Sequence, residues 1–255
     1  MSIQARPATK FNDLMGKAID FLNSGRASEL ELKRLENEAT ALANADHAGS
    51  LEVRAHVAAV RGKMDDCHNL FRAALRATDD YNGTIVRYLI VLSLSDHLDE
   101  LKQAYLELGG ALRGDVEAMG VVAEMLAGSG FMLSAWSLTE ELQRMGVDKR
   151  SQGTKWSDEL VHFDEGSLTD SDLSAPVQFA RKFLRSHGAR VNTIQVSVVP
   201  FEEGSSAVLF EIAVDQTPSR TAELEWDLFG ELEGHEFRAD EQRKVMLALS
   251  GTHVA

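Results

Sequence analysis

Asp65-Asp66-Cys67-His68 places two carboxylates, a thiol and an imidazole in four consecutive positions, and all three side-chain types ligate metal ions. The spacing speaks against a metal site. Consecutive residues of a helix point about 100° apart, so four in a row cannot converge on one ion. Cys67 falls on an apolar stripe, and Asp65 and Asp66 fall in a first helical turn, where negative charge complements the helix dipole. His162-Phe-Asp164-Glu165 and His235-Glu236 have neither HExxH spacing nor a CxxC partner. With one cysteine in the chain, a cysteine-based zinc site is excluded. Phosphate-binding loops, dinucleotide fingerprints and nucleophile elbows are missing, and Gly128-Ser-Gly130 sits in a hairpin turn rather than after a strand. Glu202-Glu203 reads as a solvated hairpin loop, whereas catalytic carboxylates need a desolvating pocket to separate their pKa values. The expectation is a non-enzyme with no catalytic, cofactor-binding or metal-binding residues.

The elements that carry these residues are helical and acidic. The chain has 255 residues, 44% of them apolar and only 7% aromatic, with four prolines, a balance that suits stacked helices better than a β-sandwich. A net charge of −14 repels phosphate backbones and disfavours nucleic acid as the main partner. The acidic excess is spread along the chain, which serves solubility first and leaves open an acidic surface for a basic partner. The single cysteine points to a reducing compartment. The N-terminal stretch lacks the apolar core of a signal peptide, and no run of 18 apolar residues is present, so a cytoplasmic protein without a membrane partner is expected.

Residues 1–149 read as helical hairpins: Phe11–Asn23 with Ser28–Asn44, then Leu51 to Ala77, Thr84 to Leu108, and Asp115 to Met145. Ser28 is expected to cap its helix with Glu31 at the third position. Three of the hairpins align at a spacing of 34 residues. Gly62, Asp96 and Gly130 mark the same turn, and Cys67, Leu101 and Ala135 the same inward place on the following helix. A helix–turn–helix period of 34 belongs to a stacked solenoid, in which no unit buries its apolar face alone.

On these residues the chain resembles the tetratricopeptide-repeat (TPR) family, over about residues 51–145. Leu51, Ala55, Ala58, Gly62, Cys67, Phe71 and Ala74 follow the family's framework in spacing. Leu51 stands where the family favours Trp, Ala58 where it favours an aromatic, and Asp79 where it favours Pro. The next unit keeps Leu101, Tyr105 and Leu108 but has Asp96 at the glycine place; the third has Gly130 and Ala135 but Thr139 at the aromatic place. The resemblance implies a TPR-like α-solenoid whose first helices line a concave binding face. It places there Glu52, His56 and Ala59, then Val86, Arg87 and Ile90, then Glu117, Gly120, Val121 and Glu124. The implied partner-binding set is Glu52, His56, Arg87, Ile90, Val121 and Glu124, in a groove suited to an extended or helical protein segment.

Residues 150–173 form an acidic, Gly- and Ser-containing connecting segment, in which Trp156, Leu160 and Phe163 are spaced for a short capping helix. Residues 174–255 then read as a small α-β-β-α-β domain, giving an α+β chain overall. Its helix is expected to start at Ser174 with Pro176 near its beginning. Thr193–Val199 and Ala207–Val214 alternate as two strands, Thr217-Pro218 opens the second helix, and Val245–Leu249 makes the last strand. This order occurs in unrelated modules, including ring-building motifs of secretion machines and one type of KH domain, though the GxxG loop a KH domain needs is missing. The sequence therefore predicts an adaptor, chaperone or regulatory partner that binds another protein. The alternatives are an assembly component that oligomerises through an exposed strand edge of the C-terminal domain, and a nucleic-acid-associated regulator drawing on Arg181, Lys182, Arg185 and Arg190.

Overall fold

The computed structural model describes residues 7–147, 169–200, 206–233 and 245–251. Helices α1 (Pro7–Ser24), α2 (Glu29–Leu42), α3 (His47–Val60), α4 (Met64–Ala77), α5 (Tyr81–Leu94), α6 (Leu98–Leu108), α7 (Val116–Gly128) and α8 (Met132–Arg144) come first, with a 3-10 turn at Gly109–Leu112. Then follow α9 (Asp170–Ser186), β1 (Val191–Pro200), β2 (Ser206–Val214), α10 (Pro218–Glu233) and β3 (Val245–Gly251). The chain is α+β, with the α-β-β-α-β order at its C-terminal end. It divides into two compact units, Met1–Leu112 and Arg113–Ala255.

One local device builds the hairpins. Gly62, Asp96 and Gly130 all have positive φ, at +70°, +58° and +85°. Each lies just past the end of a first helix. The next N–H reaches back to close the helix: Lys63 to the Ala58 carbonyl, His97 to Leu92 and Phe131 to Leu126, each at 2.9 Å. This bond satisfies a carbonyl that the helix end would leave orphaned. Asp96 is the one non-glycine at positive φ among the described residues, and aspartate tolerates that region better than most side chains.

The starts of the same helices repeat as well. Asp46, Asp80 and Asp115 cap α3, α5 and α7, accepting from the N–H groups of Gly49 (2.7 Å), Gly83 (3.1 Å) and Ala118 (3.1 Å). At Gly49 and Gly83 an added Cβ would come within 2.3 and 2.1 Å of the capping carboxylate, so the cap would have to shift, as it has beside the Cβ of Ala118 in the third repeat. Ser28 caps α2 in a reciprocal box with Glu31.

In the first unit α1 packs against α2, α3 and α5, and the core is built from Leu14, Met15, Leu32, Leu35, Val53 and Val57. On α4, Cys67, Phe71 and Ala74 are buried at i, i+4 and i+7, one stripe of the helix. In the second unit the sheet order is β1-β2-β3, β1 antiparallel and β3 parallel to the central β2. Val208, Phe210, Ile212 and Val214 of β2 are fully buried, the alternate-residue pattern of a strand with one face on the core. The parallel β2–β3 pair needs a crossover, and α10 lies within it.

One detail differs from the sequence reading. Helix α9 begins at Asp170, where Thr169 and Asp172 form its capping box. Ser174 and Pro176 thus lie inside the helix. The expected short helix around Trp156, Leu160 and Phe163 and the Glu202-Glu203 loop lie outside the described residues, as do His162, Asp164, Glu165, His235 and Glu236.

Candidate functional site

Glu52 is one turn into α3, where an isolated carboxylate would normally face water. Its side chain is instead 2% exposed. Arg87 of α5 meets it with two groups: Nε donates to Oε2, and Nη2 to Oε1 at 3.1 Å. Thr84 Oγ1 donates to Oε1 at 2.7 Å. The same guanidinium reaches Asp80 Oδ2 at 3.1 Å, so the α5 cap joins the network, and it lies 5.3 Å above the centre of the Phe11 ring on α1. Burial works against the Arg87 charge, and the bonds to Glu52 and Asp80 outweigh it, leaving its pKa above the ordinary arginine value. The network ties α1, α3 and α5 together through three donors on one carboxylate.

His56, one turn beyond Glu52, is fully buried. Its Nδ1 is 2.9 Å from the Glu52 carbonyl, which can only accept, so Nδ1 carries the proton. Nε2 has no hydrogen-bond partner, and the ring lies 5.6 Å from that of Phe71. Burial, with the nearby Arg87 charge, pushes the His56 pKa down to about 4. Neutral imidazole is therefore the form that fits.

A second polar chain crosses from α5 to α6 by way of α4. Tyr88 Oη is 2.7 Å from His68 Nδ1, His68 Nε2 is 3.0 Å from Glu100 Oε2, and His97 Nδ1 is 3.2 Å from the same oxygen. The carboxylate accepts from both imidazoles, so in the neutral tautomer that fits this chain His68 carries its hydrogen on Nε2 and accepts a hydrogen bond from the Tyr88 hydroxyl at Nδ1. Burial raises the Tyr88 phenol to about 12, and the Cys67 thiol is likewise pushed up to about 12, by burial with Glu100 adding to it. Among the described residues no group of three His, Cys, Asp or Glu is placed to hold a metal ion.

In the second unit Asp170 performs a cap at long range. It is the first residue of α9, yet its carboxylate accepts from the Leu133 N–H at 2.8 Å and from Ser134 Oγ at 2.5 Å, at the start of α8. Phe131, at the N-cap position of α8, makes no side-chain cap of its own. Gly130 lets the two helices approach: a Cβ there would come within 2.5 Å of Ser174 Cα.

The six residues expected to bind a partner separate into two groups. Glu52, His56 and Arg87 are engaged inside the first unit, the first two buried in it. Ile90 on α5 is half-buried, while Val121 and Glu124 on α7 are exposed. Of the four cations considered for nucleic acid, Arg181 is buried and Arg190 pairs with Asp215 at 3.4 Å. At the β3 edge, expected as a seam for assembly, the Leu249 N–H is taken by Glu225 at 2.8 Å. No described helix is long and apolar enough to cross a membrane.

Sequence reasoning missed the Glu52–Arg87 pair, although opposite charges one repeat plus one residue apart on successive first helices are a usable sign. It also missed the Asp-x-x-Gly starts, visible as Asp46–Gly49 and Asp80–Gly83 at the 34-residue spacing. Compared with known proteins, the chain matches no family model, no curated protein and no solved structure.

Proposed function

We propose that this chain is a cytoplasmic, non-enzymatic interaction protein, an adaptor, chaperone or regulatory partner, which binds a segment of another protein through TPR-like helical hairpins. The observation that supports this reading is the recurrence, at 34 residues, of one turn with positive φ and one closing bond at Gly62, Asp96 and Gly130. Repetition of a hairpin unit creates surface without creating a catalytic pocket, and such surfaces serve recognition. In this reading Glu52, His56 and Arg87 hold α3 and α5 in place within the first unit, and Ile90 in that unit and Val121 with Glu124 in the second each supply contacts.

The test is purification of the tagged full-length chain from its own host, alongside Ile90→Asp and Val121→Asp with Glu124→Lys. One stoichiometric partner is expected with the parent chain and is lost with the substitutions, while circular dichroism stays unchanged. The Val121/Glu124 pair is exposed, so its result stands even where Ile90→Asp loses structure. A parent chain that enriches no partner overturns the proposal.

A further inference from the structure

Helix α10 carries two apolar stripes where one suffices. Thr221, Leu224 and Leu228 face inward and are buried. Ala222, Trp226 and Phe229, at i, i+4 and i+7, form a second stripe on the opposite side. Trp226 is 80% exposed and Phe229 40% exposed. An indole presents well over 100 Å² of largely apolar surface to water, and Trp is enriched among the residues that carry most of the binding energy where such surfaces are covered by a partner.

The surroundings of the stripe define what would cover it. Ser219, Ala222 and Gly230 are small, so Trp226 stands at the edge of a shallow open depression lined by Ser219, Arg220, Ala222, Glu223, Trp226 and Asp227. Small residues beside a large ring allow a second backbone to come close. The charge on the helix is one-sided. Glu223, Asp227, Glu231 and Glu233 are exposed, and the helix has one cation, Arg220, which pairs with Glu223 at 2.8 Å. Asp227, Glu231 and Glu233 have no ion-pair partner among the described residues. A second copy of the chain would bring this acidic rim against itself, so self-pairing is opposed by like charge.

We propose that the outer face of α10 docks a basic amphipathic helix of another protein, its aliphatic side chains on Trp226 and Phe229 and its Lys or Arg residues on Asp227, which lines the depression beside Trp226, and on Glu233, one turn beyond Phe229. Three features carry this: the i, i+4, i+7 spacing of the stripe, which matches helix-on-helix recognition; the charge complementarity; and the exposed indole face, on which a cation can stack. This surface is separate from the hairpin residues Ile90, Val121 and Glu124, so the proposal stands or falls apart from the reading given above.

The test uses the full-length chain and a fluorescently labelled Lys/Leu amphipathic helix of about five turns, with anisotropy as readout. A scrambled peptide of identical composition is the first control. The expected result is saturable binding at least about tenfold tighter than for the scrambled peptide, weakening as salt rises. Trp226→Ala should weaken it by about 30-fold or more, with an unchanged circular dichroism spectrum. The double reversal Asp227→Lys with Glu233→Lys should move the preference to the corresponding Glu/Leu helix. Equal binding of the scrambled peptide, or an unchanged affinity in Trp226→Ala, overturns the proposal. A dimer in sedimentation equilibrium that Trp226→Ala dissolves also overturns it, in favour of a second copy as occupant.

Discussion

Glu52 and Trp226 break the ordinary rule of burial in opposite directions. A carboxylate on α3 is sealed inside the first unit, and an indole on α10 stands in water in the second. The carboxylate is costly to desolvate, but Arg87 and Thr84 give it three donors and Phe11 lies against the guanidinium, so the fold itself supplies the compensation. The indole receives no such compensation within α10. A buried charge with its partners in hand is a statement about architecture, and an exposed aromatic beside an acidic rim is a statement about what lies outside the molecule. The contrast separates residues that look alike in the sequence, since all of them are polar or aromatic positions on amphipathic helices.

The contrast is sharpest at Arg87. Its replacement by Ala leaves Glu52 buried without a counter-charge, and the expected loss is about 3–5 kcal/mol in urea unfolding. Replacing both residues, Glu52→Met with Arg87→Met, should cost much less than Arg87→Ala alone, because no uncompensated charge remains. A loss below about 1 kcal/mol for Arg87→Ala would erase the distinction between the two regions.

The next effect is a pH dependence centred on His56. Its folded pKa of about 4 lies below the ordinary 6.5, so the unfolded chain binds the proton more readily. The stabilisation is therefore fully present above about pH 6.5 and is lost as pH falls towards 4, where both states hold the proton. The shift corresponds to about 3 kcal/mol over that window. His56→Leu should flatten this part of the stability profile, which thermal melts from pH 7 to 4 would show.

Two turns with the same backbone then test how environment sets cost. Gly62→Ala has open space for its Cβ and only the positive φ of +70° to contend with, and a loss of about 1 kcal/mol is expected. Gly130→Ala has the same φ problem and a backbone in the way at Ser174, so a loss of more than about 2 kcal/mol is expected. Smallest of all should be Trp226→Ala, within about 0.5 kcal/mol of the parent chain by the same unfolding measurement. A large loss there would show the indole to be a structural residue and remove the basis for a docking face.

The sequence was most informative where one residue type serves one local rule. The 34-residue recurrence of Gly62, Asp96 and Gly130, the Ser28–Glu31 cap and the order of strands and helices after residue 173 all follow from periodicity or from turn chemistry within a few positions. The extents of β1 and β2 were found to within two residues, because alternation survives to the ends of a strand. The cap of α9 lies five residues before the expected Ser174, since Ser174 and Thr169 are both plausible caps and only Thr169 has an acidic residue, Asp172, three positions on. Glu52, His56 and Arg87 fall on the expected binding face in the sequence and inside the unit in the structure, because a sequence gives the side of a helix but not what lies over it. Arg87 beneath Phe11, and Asp170 at the start of α8, depend on contacts across 36 to 76 positions, which no local pattern encodes.

The chain's one cysteine has a consequence for watching the molecule move. Cys67 is buried on α4, with its thiol held near 12 by burial, so in the closed state it offers a reagent neither access nor thiolate. Alkylation must wait for the α3–α4 hairpin to open. The labelling rate of the native chain is thus a clock for the breathing of that hairpin, needing no added probe, and its response to reagent concentration separates how often the hairpin opens from how long it stays open.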